Sequence, residues 1–264
     1  MAVRALGVLA LLCVMGCHSD RVGGHVDDTK GDKPASKDDA ELRREQDEYI
    51  ADVMAFTHQT RAEVRDQMKQ GSNPLKDEWN TWESQGPMTP ERIKAFYKQT
   101  ANYLYELGAW HLFVANKRAS DLALFADLRA KQPKNILDFG GGVGLLAIPL
   151  ARAGFDVTIA DLDSTTLHFA MFRAERHGVH LKVWKSDVEP APPDRQYDVI
   201  LCMDVLEHLP KDILHEVVDA LIKLKHARTE IIISAPFGRT SVHPMHMDLS
   251  EDTKQQIERL RARL

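Results

Sequence analysis

Residues 135–144 have the sequence NILDFGGGVG, from which the architecture of the chain can be predicted. Asn135–Phe139 is a short apolar run that predicts a buried strand, because a turn signal follows it at once. A helix is predicted over 144–152, and its first turn would present unpaired backbone N–H groups. A strand, a glycine-rich turn and a helix N-terminus in succession indicate a ligand site at the end of the strand.

The chain after this stretch alternates between predicted strands and helices. The strands are 156–160, 181–185, 197–203 and 230–235, and the helices are 164–177, 212–225 and 249–264. This alternation predicts an α/β domain over 133–264, a Rossmann-like, doubly wound and mostly parallel sheet with helices on both faces. In such sheets the ligand lies beyond the carboxyl ends of the strands.

Residues 41–132 are predicted to form a helical extension in front of the sheet. Apolar residues at helical spacing predict one helix over 41–70, a second that begins at Thr89 and includes Trp110 on its core face, and a third over 121–131. Thr89 is the expected N-cap of the second helix, because Pro90 suits the first helical position. The aromatic residues of this region are expected to pack these helices onto the sheet domain.

Composition limits the function classes. The chain has 264 residues, of which 44% are hydrophobic and 28% charged, values typical of a globular protein. These values exclude a wholly disordered chain and a membrane protein with many spans. The net charge of −5 provides no overall basic field, so nucleic acid is not favoured as a partner.

The amino-terminal residues are typical of an export signal. Residues 5–16 are an uncharged, mostly apolar run that is too short to span a bilayer but suits a signal peptide over 1–16. Val14–Cys17 resembles the bacterial lipobox, which implies lipidation of Cys17 and a flexible tether over 17–40. We therefore expect a membrane-anchored, extracytoplasmic lipoprotein. A cytoplasmic location remains the alternative if the apolar run does not export the chain.

Asp138 distinguishes between two classes of nucleotide ligand. Gly140, Gly142 and Gly144 give a GxGxG pattern that one frame of the dinucleotide fingerprint, with Ala147 in its third position, also fits. A carboxylate at Asp138 repels a pyrophosphate but pairs with an ammonium group. The pattern therefore favours a cationic ligand over a nicotinamide dinucleotide.

The segment 135–237 resembles the class I S-adenosylmethionine-dependent methyltransferases. DFGGGVG, VTIADLD, KSDVE and YDVILCMDVLEHLP match four motifs of that family in order. The resemblance implies S-adenosylmethionine as the cofactor. It also implies that Asp138, Gly140, Gly142 and Gly144 surround the methionine part of the cofactor.

The same resemblance assigns the other cofactor-binding residues. Asp161 would accept hydrogen bonds from the ribose hydroxyls, with Asp163 as the alternative. Asp187 would contact the adenine amino group, and the backbone N–H of Val188 would meet the adenine ring. Met203, at the end of the fourth strand, would touch the cofactor.

Asp204, Glu207 and His208 follow the fourth strand and are the candidate catalytic residues. His208 is the best general-base candidate by the ordinary pKa of histidine. A structural role for Glu207 and His208 is the competing interpretation. The segment also resembles that of metal-assisted small-RNA 2′-O-methyltransferases and ubiquinone-pathway O-methyltransferases. This resemblance implies a divalent ion that orients the hydroxyl group, with His243 and His246 completing its site.

The resemblance has one clear departure and leaves several functions open. The family normally adds two strands after the fifth, whereas the residues after Phe237 fit one loop and one helix. Either the sheet has five strands, or Val242–Met247 forms an additional edge. We expect methyl transfer to a small-molecule or cell-envelope acceptor. A non-catalytic lipoprotein that keeps the fold as a binding module, and a nicotinamide-dependent oxidoreductase, are the alternatives.

Overall fold

The predicted parallel sheet is confirmed in a computed structural model that describes residues 37–189, 191–194 and 196–262. Its strands are β1 (Asn135–Phe139), β2 (Asp156–Asp161), β3 (Lys182–Lys185), β4 (Val199–Met203) and β5 (Glu230–Ser234). All neighbours are parallel, in the order β3-β2-β1-β4-β5. The order reverses between β1 and β4, so the carboxyl ends of these strands define the ligand crevice typical of doubly wound sheets.

Between Lys37 and β1 the chain forms six helices, and their boundaries differ from the prediction. They are α1 (Lys37–Thr57), α2 (Arg61–Lys69), α3 (Asn73–Ser84), α4 (Pro90–Gln99), α5 (Asn102–Phe113) and α6 (Ala115–Lys131). The single helix predicted over 41–70 is wrong: His58 has a φ of 61°, and Thr60 begins a new helix through a capping box with Glu63. Thr89 caps α4 as predicted, by accepting a hydrogen bond from the Arg92 N–H.

The remaining helices cover both faces of the sheet. They are α7 (Ala147–Arg152), α8 (Thr165–Arg176), α9 (Lys211–Lys223) and α10 (Glu251–Arg261). Apolar residues of α9 and α10 pack on one face of the sheet, and those of α6, α7 and α8 pack on the other. Helix α7 begins later than predicted because the glycine-rich turn extends beyond residue 144. These two buried layers confirm the doubly wound arrangement.

The predicted amino-terminal signal lies outside the described residues, as does most of the predicted tether. Helix α1 begins at Lys37, so the last four tether residues are helical.

Trp110, expected on a core face, is 43% exposed, whereas Trp79 on the unpredicted helix α3 is buried. Of the helices in the described ranges, none has both the length and the apolar character needed to cross a membrane.

A buried ion pair joins the helical extension to the sheet. Asp52 of α1 is fully buried and accepts hydrogen bonds from Arg173 (3.2 Å) and His177 (2.8 Å). The Arg173 guanidinium also donates to the carbonyl oxygen of Val143 (2.7 Å) and lies over the Tyr49 ring. A buried carboxylate requires such partners. The described residues from Lys37 onward belong to one compact unit, and Val143 of the glycine-rich turn packs in one buried cluster with Tyr49 and Leu104 of the extension.

The segment after β5 is a loop, not a sixth strand. Val242–Met247 forms no strand pairing. The prediction of an additional edge strand at this segment is therefore wrong. The prediction of a five-strand sheet is confirmed for the described residues. Met245 of this loop is buried against Trp79, Ile93 and Phe96 of α3 and α4. The loop is therefore held by the extension.

The turn after β1 requires glycine at residue 140. Its φ is 74°, and its N–H donates to the Ala160 carbonyl oxygen at the end of β2 (2.7 Å). A Cβ atom at this position would lie 2.2 Å from Cγ2 of Val205. Left-handed backbone and close approach of a neighbour both exclude a side chain here.

We predict that Gly140→Ala lowers the free energy of unfolding by about 2–4 kcal/mol, because strained backbone adds to an overpacked contact. Gly178→Ala is the control, since Gly178 has a φ of 63° but no atom within 4 Å of an added Cβ. The control should lose only about 1 kcal/mol. Urea unfolding measures both values, and Val205→Ala should recover part of the Gly140→Ala loss. Equal losses for the two alanine variants would contradict the contact argument.

Candidate functional site

Three carboxylates meet at the carboxyl ends of neighbouring strands. Asp138, Asp161 and Asp187 belong to β1, the end of β2 and the segment after β3. The Asp161 carboxylate accepts hydrogen bonds from the N–H groups of Gly142 (2.8 Å) and Leu162 (2.7 Å). The end of β2 is therefore tied to the glycine-rich turn. Asp163 instead directs its carboxylate to Lys185 and His168 at the surface.

Asp187 is held by the helical extension. Its Oδ2 accepts a hydrogen bond from Lys98 (2.8 Å) and lies 3.3 Å from the Lys94 ammonium, and its Oδ1 accepts from the N–H of Asp163 (2.7 Å). Burial opposes ionisation of Asp187, but these interactions outweigh it and lower its pKa to about 2. The carboxylate is thus ionised and already bonded to an ammonium group.

Asp138 is the unsatisfied member of the three. It is 2% exposed, and its Oδ2 has no hydrogen-bond partner among the residues that the structure describes. Burial and the neighbouring Asp161 raise the pKa of Asp138 to about 7, and burial raises that of Asp161 to about 6. A cation or hydrogen-bond donor placed beside Asp138 would relieve both effects.

The remaining predicted cofactor residues flank this group. Gly142 and Gly144 both have positive φ, as their turn positions require. Met203 ends β4 and packs against the buried cluster formed with α6, α7 and α8. Val188 is 61% exposed, but its N–H donates to the Lys185 carbonyl oxygen (3.0 Å). That N–H is engaged within its own turn, so the expected backbone contact to a ring is not available in this conformation.

The segment after β4 has strained backbone at Asp204. Its φ is 57°, a left-handed value that non-glycine residues adopt uncommonly and that Asp tolerates better than most. Its carboxylate accepts a hydrogen bond from the Ser234 hydroxyl (2.6 Å) and one from Lys117 (3.2 Å). Lys117 is itself buried and lies 3.4 Å from Asp121. Both Asp204 oxygens are therefore already paired, which argues against Asp204 as a free catalytic base.

Glu207 and His208 are brought together with His246. Glu207 is fully buried, and neither carboxylate oxygen has a partner within the described part of the chain. His208 shares a hydrogen bond with the Tyr97 hydroxyl through Nδ1 (3.0 Å), and its ring lies 4.8 Å from the ring of His246. The N–H of Met247 donates to the Glu207 carbonyl oxygen (2.6 Å), which fixes the loop that carries His246.

Burial changes the proton affinities of this group. It lowers the pKa of His208 to about 3, with His246 and His243 adding to the effect, and lowers that of His246 to about 4. Burial and Asp204 raise the pKa of Glu207 to about 8. The ordinary histidine pKa that favoured His208 as general base therefore does not apply in this environment, because neutral His208 is a weak proton acceptor here.

These residues fit a divalent cation. Glu207, His208 and His246 each offer a ligand atom, and the three atoms lie within 4.8 Å of one another. An orphaned buried carboxylate beside two neutral imidazoles is a donor set that transition-metal ions accept. His243 stacks on His246 but is not one of the three, and Asp204 is bonded elsewhere.

The extension contributes residues that the sequence did not reveal. Four side chains of the extension reach carboxylates or histidines of the site: Lys94, Tyr97, Lys98 and Lys117. Glu106 is half-buried, and partial burial together with the nearby Asp204 raises the pKa of Glu106 to about 7. Their spacing is that of ordinary amphipathic helices, so no local signal distinguishes them. Only the packing of α4, α5 and α6 over the strand ends identifies them.

Comparison with known proteins gives a match to a protein family. A family model described as a methyltransferase domain matches residues 111–257, more than half of the chain. The match includes the end of α5 and all of α6, so it begins before the predicted sheet domain. The resemblance inferred from the four motifs is thereby confirmed at the level of the family.

Relatives are similar over shorter stretches. The ubiquinone biosynthesis O-methyltransferase of Rickettsia conorii is 40% identical over 74 residues, which are 28% of this chain and 26% of the relative. The enzyme of the same name from Paramagnetospirillum magneticum is 40% identical over 83 residues, 31% of this chain and 33% of the relative. The chain thus matches about a quarter to a third of the length of these relatives.

A solved structure matches part of the chain. The N-methyltransferase NodS from Bradyrhizobium japonicum WM9, in complex with S-adenosyl-L-homocysteine, is 18% identical, with a TM-score of 0.45, over 55% of this chain and 74% of NodS. The family match rests on the sequence model over residues 111–257. This chain belongs to the methyltransferase domain family.

Proposed function

We propose that the protein is an S-adenosylmethionine-dependent methyltransferase that acts on a small-molecule acceptor. The observation that carries the proposal is the meeting of three carboxylates with the glycine-rich turn at the ends of three adjacent strands. Asp161 bonds to the turn, and beside it Asp138 has a buried oxygen that no described residue satisfies. This arrangement suits a ligand that carries hydroxyl donors and positive charge.

The three carboxylates fit three parts of the cofactor, whereas the N–H of Val188 is engaged by Lys185 and does not meet its ring in this conformation. Asp138 and the glycine-rich turn would hold its methionine ammonium, Asp161 its ribose hydroxyls and Asp187 its adenine amino group. When bound, the sulfonium supplies an electrophilic methyl group. The protein's task is then to align an acceptor atom with that methyl group and to exclude water.

The acceptor atom is proposed to be a hydroxyl oxygen. The relatives matched over 74 and 83 residues are named as O-methyltransferases. The reaction centre also offers Glu207, His208 and His246, a donor set that would hold a divalent ion able to orient a hydroxyl group and favour its deprotonation. A cell-envelope acceptor, which the amino-terminal signal suggested, has no support from these relatives.

We predict that Asp161→Asn weakens S-adenosylmethionine binding about 10- to 100-fold. The charged carboxylate contributes about 1.5–3 kcal/mol through its hydrogen bonds to the cofactor, and the neutral amide does not supply this contribution. Isothermal titration calorimetry on the purified chain measures the dissociation constant. Asp156→Asn is the matched control, since Asp156 lies exposed at the other end of β2. Its affinity should equal that of the unmodified chain.

The same titration tests the competing interpretation. An unmodified chain that takes up no S-adenosylmethionine at millimolar concentration would contradict the enzyme proposal and favour a non-catalytic lipoprotein that retains the fold as a binding module.

We predict that Glu207→Gln lowers the affinity for Mn²⁺ at least tenfold, because it removes the anionic ligand of the proposed ion. Calorimetric titration with MnCl₂ in the absence of other ligands is the measurement. His246→Asn should act in the same direction, and His243→Asn, which changes a stacked neighbour outside the three ligands, should bind Mn²⁺ normally. Unchanged affinity in Glu207→Gln would eliminate this site.

We also propose that the chain is exported and anchored to a membrane through lipidated Cys17, on the basis of residues 1–17 alone. Cys17→Ser should shift the protein from the membrane fraction to the soluble fraction of bacterial cells, measured by immunoblot after ultracentrifugation. Cys13→Ser, four residues earlier in the apolar run, should stay with the membrane. Equal distribution of the two variants would favour the cytoplasmic alternative.

A further inference from the structure

One face of helix α4 contacts both the carboxylates and the histidines of the site. Lys94 and Lys98 lie 3.3 and 2.8 Å from the Asp187 carboxylate. Tyr97 lies between these lysines in the sequence, and its hydroxyl shares a hydrogen bond of 3.0 Å with Nδ1 of His208. Residues three and four positions apart lie on the same side of a helix. The lysine pairs therefore help to hold the helix in the position from which Tyr97 reaches His208.

The Tyr97 ring is confined by its neighbours. It stacks on the Tyr103 ring of α5, with centroids 5.9 Å apart, and meets the His208 ring at a steep angle with centroids 5.7 Å apart. Both tyrosines also pack against the buried cluster that contains Met245, from the loop after β5. A side chain whose ring is fixed by packing holds its polar atom at a defined point, as the support of a reaction centre requires.

The Tyr97 hydroxyl is neutral at ordinary pH. Burial raises the pKa of this hydroxyl well above the usual value for tyrosine. A neutral hydroxyl can donate or accept a hydrogen bond, but it supplies no negative charge to an ion and is a poor base. Any contribution of Tyr97 to the reaction centre therefore acts through His208.

The bond to Tyr97 distinguishes the two ring nitrogens of His208. The hydrogen bond made by one imidazole nitrogen decides the state of the other. With Nδ1 engaged by Tyr97, Nε2 is the nitrogen left for an ion shared with Glu207 and His246. A neutral imidazole that binds an ion through Nε2 carries its proton on Nδ1, and the Tyr97 oxygen is then the acceptor of that N–H.

We propose that Tyr97 is a positioning residue for His208: its hydroxyl bonds to Nδ1 and fixes the imidazole so that Nε2 is the nitrogen that binds the divalent ion. The inference rests on the proposed function, because it assigns a residue of the helical extension to the same reaction centre. Helix α4 then has two separate tasks, which are to neutralise Asp187 through its lysines and to orient His208 through its tyrosine.

The test compares Tyr97→Phe with Tyr105→Phe. Each change removes one hydroxyl and keeps the aromatic ring, and the Tyr105 hydroxyl donates to Gln59, between α1 and α2 (2.7 Å). Calorimetric titration of the full chain with MnCl₂ should show an affinity loss of about 10- to 100-fold for Tyr97→Phe, the usual effect of losing the partner of a metal-binding histidine. Tyr105→Phe should bind Mn²⁺ as tightly as the unmodified chain.

Nitrogen NMR of the histidine side chains tests the hydrogen bond itself, which a merely structural role of Tyr97 would not affect. The His208 signals are identified as those missing from His208→Asn. In the metal-free chain, the Nδ1 signal of His208 should move in Tyr97→Phe and stay in place in Tyr105→Phe. Addition of Zn²⁺ to the unmodified chain should shift the Nε2 signal more than the Nδ1 signal.

Four results would each overturn the role of Tyr97. They are the absence of Mn²⁺ binding by the unmodified chain, unchanged Mn²⁺ affinity in Tyr97→Phe, an unchanged Nδ1 signal in that variant, and Zn²⁺ coordination through Nδ1. S-Adenosylmethionine should bind Tyr97→Phe normally, because the hydroxyl removed is bonded to His208. Failure of cofactor binding by the unmodified chain would contradict the proposed function, whereas the metal titrations and spectra, recorded without cofactor, would still decide the role of Tyr97.

Discussion

The hydrogen bond from the Gly142 N–H to Asp161 is the interaction on which the site depends. It joins the turn after β1 to the end of β2, and the turn can approach β2 this closely because Gly141 carries no side chain: a Cβ atom there would lie 2.5 Å from Cγ1 of Ile159. The carbonyl oxygen of Val143, in the same turn, accepts from Arg173, which pairs with Asp52 of α1. One turn therefore connects the sheet, the carboxylates and the helical extension.

The helical extension supplies side chains to the site. Lys98 and Lys94 neutralise Asp187, and Lys117 neutralises Asp204. A cofactor that uses Asp187 must therefore replace an ammonium group already in place, so the position of α4 and cofactor binding are linked. Helices α4 and α6 and the strand ends act together electrostatically. The reason is that closely spaced carboxylates are stable only when cations lie near them.

Burial separates the roles of residues that are neighbours in sequence. Asp204 is paired with Ser234 and Lys117, whereas Glu207, three residues later, is buried with no partner in the described structure. His208 lies beside His246 and has lost most of its proton affinity. The group therefore suits the orientation of a hydroxyl acceptor by an ion better than simple proton abstraction by histidine.

Local sequence was sufficient for the sheet and for its carboxylates. Apolar runs followed by turn residues are short-range signals, and four motifs in order placed Asp138, Asp161 and Asp187 at strand ends. The helical extension was predicted less well, because a left-handed His58 and a new cap at Thr60 interrupt a continuous apolar pattern.

Tertiary structure alone decided what surrounds the site residues. Lys98 and Lys117 are ordinary helical lysines until α4 and α6 pack over the strand ends, and the proton affinity of His208 depends on burial beneath a loop that begins almost 30 residues later. The physical reason is range: strand and turn preferences act between neighbouring residues, whereas desolvation and ion pairing depend on groups that are distant in the chain.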